Sequence, residues 1–107
     1  MLMRTLFSTL IETFLSQVMV KLRVLLFGPA KDAMKGDPFV HVESTNLPVT
    51  IDRVRLLVSE QQMALRFVLA NSVFAVDNKL IPRSHEPTTV IRNECTEIVL
   101  VPPVSGG

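Results

Sequence analysis

A chain of 107 residues has room for one small domain, which excludes a two-domain enzyme with a cleft between its halves. With 48% hydrophobic and 20% charged residues it has ample material for a core and is no disordered tail. A formal charge of +1 lacks the concentrated positive potential on which phosphate-backbone binding relies, so nucleic acid is not an expected partner.

The longest charge-free runs, 67–76 and 98–107, fall well short of the roughly 20 residues of a membrane span, and no stable span is expected. Cys95, the single cysteine, excludes an internal disulfide; with His41 and His85 as the two histidines, no spacing resembles a structural zinc site. A reducing, cytoplasmic setting is the expectation. There is no Trp or Tyr and there are six Phe, which leaves little aromatic surface for stacking bases or sugars.

In chain order, Leu2, Met3, Leu6, Phe7, Leu10, Ile11, Phe14, Leu15 and Val18 recur at steps of three and four, the pattern of an amphipathic helix over 1–19. With one Arg, one Glu and an interrupted apolar run, it fits neither a mitochondrial presequence nor a secretory signal. It reads as an extension appended to the domain, or a segment absent from the working protein, with a helix docked on a partner or membrane surface as the alternative. From Val20 the run Val-Lys-Leu-Arg-Val-Leu-Leu-Phe predicts a strand with one buried face, stopped by Gly28-Pro29. A polar loop containing Lys31, Asp32, Lys35, Gly36 and Asp37 leads to a second alternating segment, Phe39-Val-His-Val-Glu, and the two strands suggest a hairpin.

Thr50 is placed to cap a helix with Asp52 in its first turn. Its apolar stripe would be Ile51, Val54, Leu57, Val58 and Leu65, with Arg53, Arg55, Glu60 and Gln61 facing water. Val73-Phe-Ala-Val predicts a further strand, Asp77-Asn78 a turn, and Lys79-Leu-Ile a return strand halted by Pro82. Residues 83–87 read as loop, 89–91 as a short strand, and Glu97-Ile-Val-Leu-Val as the last strand, ended by Pro102-Pro103. Strand, strand, helix, then further strands imply an α+β roll: one main helix across a mixed sheet of four to five strands.

No short motif places a nucleophile beside a base. His41 reads as a sheet-face residue and His85 as a solvated one; Cys95, flanked by Glu94 and Glu97 rather than by cations, lacks the setting of a reactive thiol. Phe27-Gly-Pro-Ala is a turn, without the glycine spacing and lysine of a phosphate loop.

The C-terminus carries the informative pattern. Pro102 and Pro103 favour an extended course, and residues 102–107 reach about 20 Å at about 3.3 Å each, enough to thread a partner's pocket. Gly106 and Gly107, lacking Cβ atoms, suit a narrow channel; an inert, floppy end is the alternative by spacing alone.

Residues 99–107, Val-Leu-Val-Pro-Pro-Val-Ser-Gly-Gly, resemble the ending of the small subunit of molybdopterin synthase, the MoaD-type sulfur carriers with a ubiquitin-like β-grasp fold. A proline pair, an apolar residue and Ser-Gly-Gly at the end form a much narrower pattern than a bare Gly-Gly. Residues 20–30 resemble the family's opening strand, and Val73-Phe-Ala-Val-Asp-Asn-Lys-Leu-Ile its central hairpin. The resemblance covers 20–107 and leaves 1–19 outside. One departure stands before the last strand, where Cys95-Thr96-Glu97 replaces a Gly-Asp-Glu turn, and a different or strained backbone is expected there.

The resemblance implies a β-grasp carrier domain over 20–101 with a flexible tail over 102–107. It implies that an E1-like adenylating and sulfurtransferase enzyme uses ATP to activate Gly107, after which a sulfur donor displaces AMP to leave a thiocarboxylate. The chain would bind no cofactor permanently and would not be catalytic alone. Its tail would enter the large catalytic subunit of molybdopterin synthase, in a heterotetramer of two small and two large subunits, and give sulfur to cyclic pyranopterin monophosphate. Gly107 would be the reacting residue, Gly106 would give clearance, Val104 and Ser105 would seat the tail, and Pro102 and Pro103 would aim it. Apolar residues on the exposed sheet face would meet the partner. Alternatives sharing the fold are a thiamine-type sulfur carrier or ubiquitin-related modifier, against which Pro-Pro-Val-Ser argues, and an inert β-grasp interaction module.

Overall fold

The computed structural model describes residues 19–102, so the amphipathic segment expected over 1–19, apart from Met19, and the tail beyond Pro102 lie outside the described residues. Strand β1 (Val20–Leu26) buries Leu22, Val24 and Leu26 and turns Lys21 and Arg23 outward, as its alternation predicts. It pairs antiparallel with β2 (Phe39–Ser44), which buries Val40 and Val42, so the expected hairpin forms. The connection is not all loop: Pro29–Ala33 forms a short helix, α1, with proline in its first turn and Ala30 buried. Proline suits that position because its fixed φ is helical and its missing N–H would have no intrahelical partner.

A two-residue strand β3 (Val49–Thr50) leads into α2 (Ile51–Gln61), whose Ile51, Val54, Leu57 and Val58 face the sheet. Thr50 is the N-cap residue, but its hydroxyl bonds the Asp52 carboxylate rather than a backbone N–H. The helix ends earlier than the apolar stripe implied. After Gln62 a 3₁₀ turn (Met63–Leu65) and a four-residue helix α3 (Arg66–Leu69) follow, which bring Leu65 and Leu69 into the core.

Strands β4 (Val73–Val76) and β5 (Lys79–Ile81) form the second hairpin across Asp77-Asn78, both at positive φ (48° and 67°). Two such residues give a turn whose twist matches antiparallel strands. Residues read as loop form a 3₁₀ helix (Arg83–Thr88), and β6 (Val90–Ile91) pairs with β3 in a separate two-stranded sheet. Strand β7 (Ile98–Val101) begins one residue later than expected, leaving Glu97 in the preceding turn.

The main sheet has five strands in the order β2-β1-β7-β4-β5, with β1 and β7 parallel and the other pairs antiparallel. The last strand thus lies at the centre, beside the first, which requires a crossover over one face, and α2 covers that face. The core between helix and sheet includes Leu22, Val24, Val54, Val58, Phe74, Ile98 and Leu100, each fully buried. Burying a side chain of this size contributes about 1.5–3 kcal/mol.

Arg55 does not face water as its place on the helical wheel implied. Its guanidinium pairs with the buried Glu86 carboxylate (Nη2 to Oε2 2.6 Å, Nε to Oε1 2.9 Å), donates to the carbonyls of Leu69 (2.5 Å) and Ser72 (2.9 Å), and lies 5.0 Å from the Phe74 ring centroid. Gln61 is exposed but engaged: its amide accepts from the Glu43 N–H and donates to the Glu43 carbonyl, both at 2.8 Å, on the free edge of β2.

Candidate functional site

The strand that precedes the tail in sequence is the central strand of the sheet. β7 is bonded on both sides, to β1 and β4, with Ile98 and Leu100 at 0% exposure. Pro102 ends it because proline has no N–H to continue the ladder. Just past the parallel neighbour β1, Gly28 stands at φ 54°, a left-handed conformation that disfavours any residue with a Cβ, and a Cβ built there would lie 3.6 Å from Pro102 Cγ. The root of the tail therefore sits against the Phe27-Gly28 turn. Of the tail residues singled out in the sequence, the structure places Pro102; Pro103, Val104, Ser105, Gly106 and Gly107 lie outside the described residues.

The sheet face turned away from α2 is apolar across its full width. The pairings Phe39–Leu25, Leu25–Val99, Val99–Ala75 and Ala75–Leu80 align five residues in one transverse row, one from each strand. Each alternates with core residues along its own strand and so points away from the core. Phe39 and Leu80 are exposed, and Leu25 and Val99 are half-buried by their neighbours. Beside this row, toward the tail root, Val73 pairs with Val101, and Phe27 follows β1 at 55% exposure. Ala75 is buried, and the apolar residues exposed around it make this face a candidate interaction surface.

The other end of the face is charged. Lys21, Arg23, His41, Glu94 and Glu97 surround an open hollow of about 420 Å³. The Arg23 guanidinium lies 5.3 Å from the Phe39 ring centroid, and Phe39 meets the His41 ring edge-on at 5.2 Å, so His41 belongs to the sheet face as read from the sequence. His85 is exposed in its 3₁₀ helix, likewise as expected. Cys95 borders the hollow and is exposed. Of the two outcomes expected at Cys95 for want of glycine, a different backbone or a strained one, left-handed strain is absent: Cys95 is not at positive φ, and Asn93 builds the turn, its side-chain oxygen accepting from the Cys95 N–H (2.8 Å) and its carbonyl from the Thr96 N–H (3.1 Å). Asparagine here does locally what a glycine turn does by conformational freedom.

The sequence foresaw an apolar sheet face without naming its members. The usable signal was the apolar residue set between two buried ones, Leu25 between Val24 and Leu26 and Val99 between Ile98 and Leu100; register, which assembles them into one row, is tertiary information. Among the described residues no three metal-ligating side chains converge, and no helix is long and apolar enough to cross a membrane.

No family model matches the sequence, and comparison with curated protein sequences finds no match. Solved structures do match. A chain of the complex between subunits 1 and 2 of molybdopterin-converting factor from Helicobacter pylori 26695 is 23% identical with a TM-score of 0.56, over 81% of this chain and 99% of that one. Small archaeal modifier protein 1 from Methanosarcina acetivorans is 21% identical with a TM-score of 0.62, over 83% and 98%. A Haloferax volcanii protein is 12% identical with a TM-score of 0.63, over 84% and 89%. At these identities the likeness establishes architecture, and the central β7, the two hairpins and the covering helix make this chain a ubiquitin-like β-grasp protein, the fold expected from its C-terminal motif.

Proposed function

We propose that the chain is a sulfur carrier for the assembly of molybdopterin. The observation that carries this reading is the Pro-Pro-Val-Ser-Gly-Gly ending joined directly to the central strand of a β-grasp domain. A structural neighbour drawn from a molybdopterin-converting-factor complex supports it. On this reading 20–101 is the carrier domain, 102–107 the working tail and 1–19 an extension.

A carboxylate is a poor electrophile, so sulfur enters only after activation. The Gly107 carboxylate attacks the α-phosphorus of ATP in an E1-like enzyme, releasing pyrophosphate and forming an acyl adenylate. A sulfur nucleophile then adds to the carbonyl and AMP leaves, giving the thiocarboxylate. ATP is a substrate of the activating enzyme, and this chain holds no permanent cofactor. The large synthase subunit receives the tail, the thiocarboxylate sulfur adds to cyclic pyranopterin monophosphate, and water regenerates the carboxylate. Gly106 and Gly107 pass a narrow channel, Val104 and Ser105 seat the tail, and Pro102 and Pro103 carry it away from the sheet. The apolar row ending at Phe39 and Leu80 docks on the large subunit, in an assembly of two small and two large subunits in the cytoplasm.

Likeness to a small archaeal modifier supports a second reading, conjugation of Gly107 to lysines. Incubation with an activating enzyme, ATP and a sulfur source, followed by intact mass measurement, separates the readings. A carrier exchanges one oxygen for sulfur, a modifier appears linked to lysine, and an unchanged mass refutes both in favour of an inert interaction module.

A further inference from the structure

The helical side of the molecule, opposite the open sheet face, carries a second apolar patch that sulfur transfer does not use. Leu56 on α2, Met63 in the 3₁₀ turn and Phe67 on α3 are 45%, 66% and 92% exposed. The geometry of α3 makes this unavoidable: Leu65 and Leu69 are drawn into the core, and a residue midway between two positions four apart faces the opposite way. Next to Phe67 lies an open hollow of about 400 Å³, floored by Leu56, Leu69 and Ala70 and rimmed by Asp52, Arg66 and Arg83. Arg66 and Ala70 border both this hollow and the smaller one against Phe67, so knob and hollow adjoin.

We propose that this patch is an isologous interface through which two copies of the chain pair, Phe67 of each entering the hollow between Leu56 and Ala70 of the other. A two-fold contact requires one surface to carry both halves of every interaction. This surface does so in shape, with an exposed phenyl ring beside a hollow larger than a phenyl group. It does so in charge as well, since the same rim exposes Asp52 and Arg66, neither in an ion pair among the described residues, so that a two-fold rotation can set each aspartate against Arg66 of the other copy. Arg55 and Arg83, also at the hollow, both lie against the Glu86 carboxylate, at 2.6 and 3.7 Å. An aspartate and an arginine on one rim fit a wholly acidic partner or an anionic membrane less well than they fit their own image. The pairing is independent of the sulfur-carrier reading, because α2 and the core separate this patch from the apolar sheet face.

Sedimentation equilibrium of the full chain over a broad dilution series tests the proposal. A reversible monomer–dimer equilibrium is expected, with Phe67→Ser raising the dimer dissociation constant at least about tenfold and leaving the melting temperature unchanged. Asp52→Arg weakens the dimer, and adding Arg66→Asp in the same chain restores it. A monomer at every concentration overturns the proposal, as does a dimer indifferent to both Phe67→Ser and Asp52→Arg. Monomers that instead sediment with phosphatidylserine vesicles overturn it in favour of a membrane surface.

Discussion

Arg55 and Glu86, 31 positions apart, form a two-point ion pair in which the carboxylate is 3% and the guanidinium 13% exposed. The pair ties α2 to the 3₁₀ helix over Arg83–Thr88, and the remaining guanidinium bonds reach the carbonyls of Leu69 and Ser72, where α3 hands over to β4. One side chain thus fixes three segments whose own hydrogen bonding is short-range. Arg83 approaches the same carboxylate at 3.7 Å from the solvent side, with 54% of its side chain exposed, and contributes little by comparison.

Removing one partner leaves a buried charge uncompensated, so Glu86→Ala should destabilise the domain by about 3–5 kcal/mol in urea unfolding. The double variant Arg55→Met, Glu86→Leu should recover most of that loss, because the desolvation cost disappears with both charges. Equal loss in the single and double variants would show that the carbonyl bonds of Arg55, rather than its ion pair, hold these segments.

Leu80 ends the apolar row and is 61% exposed, so a charge there spares the core. Leu80→Asp should leave the melting temperature within experimental error and, on the proposed carrier function, weaken association with a large subunit of molybdopterin synthase at least about tenfold. Titration calorimetry of the two subunits reads this directly; unchanged affinity would move the partner surface away from the sheet face.

The Gln61 side chain, at the end of α2, bonds both the backbone N–H and the backbone C=O of Glu43 on the edge strand β2. Gln61→Ala should speed hydrogen exchange at the Glu43 amide and cost about 1 kcal/mol. An exchange rate matching the wild type would mean that water serves the Glu43 amide equally well.

On the proposed function, lengthening the chain by one residue after Gly107 would move the carboxylate away from the position at which it is activated. Sulfur loading should be abolished with the melting temperature unchanged, as read by intact mass and thermal unfolding. Undiminished loading would refute the proposed role of Gly107.

Much of the fold is legible in local pattern. Alternation in Val20–Leu26 and Phe39–Ser44, the positive-φ pair Asp77-Asn78, and Ile51, Val54, Leu57 and Val58 at helical spacing each report which side of an element is buried. The helix at Pro29–Ala33 and the break after Gln61 were not visible, because short helices owe their existence to what they pack against more than to propensity. For the candidate site, the sequence alone carried the tail motif, and the structure placed the root of it at Pro102 beside Gly28.

By itself, the sequence determined an α+β domain with an apolar core, two hairpins and one main helix, and it carried the Pro-Pro-Val-Ser-Gly-Gly motif on which the proposed function rests. Only the tertiary structure decided that the last strand lies beside the first, that Phe39, Leu25, Val99, Ala75 and Leu80 align in one row, and that Arg55 turns inward to Glu86. The physical reason is range. Periodicity records how a residue faces its own helix or strand, whereas strand order, register and buried charge pairing depend on segments tens of residues apart meeting at fixed geometry.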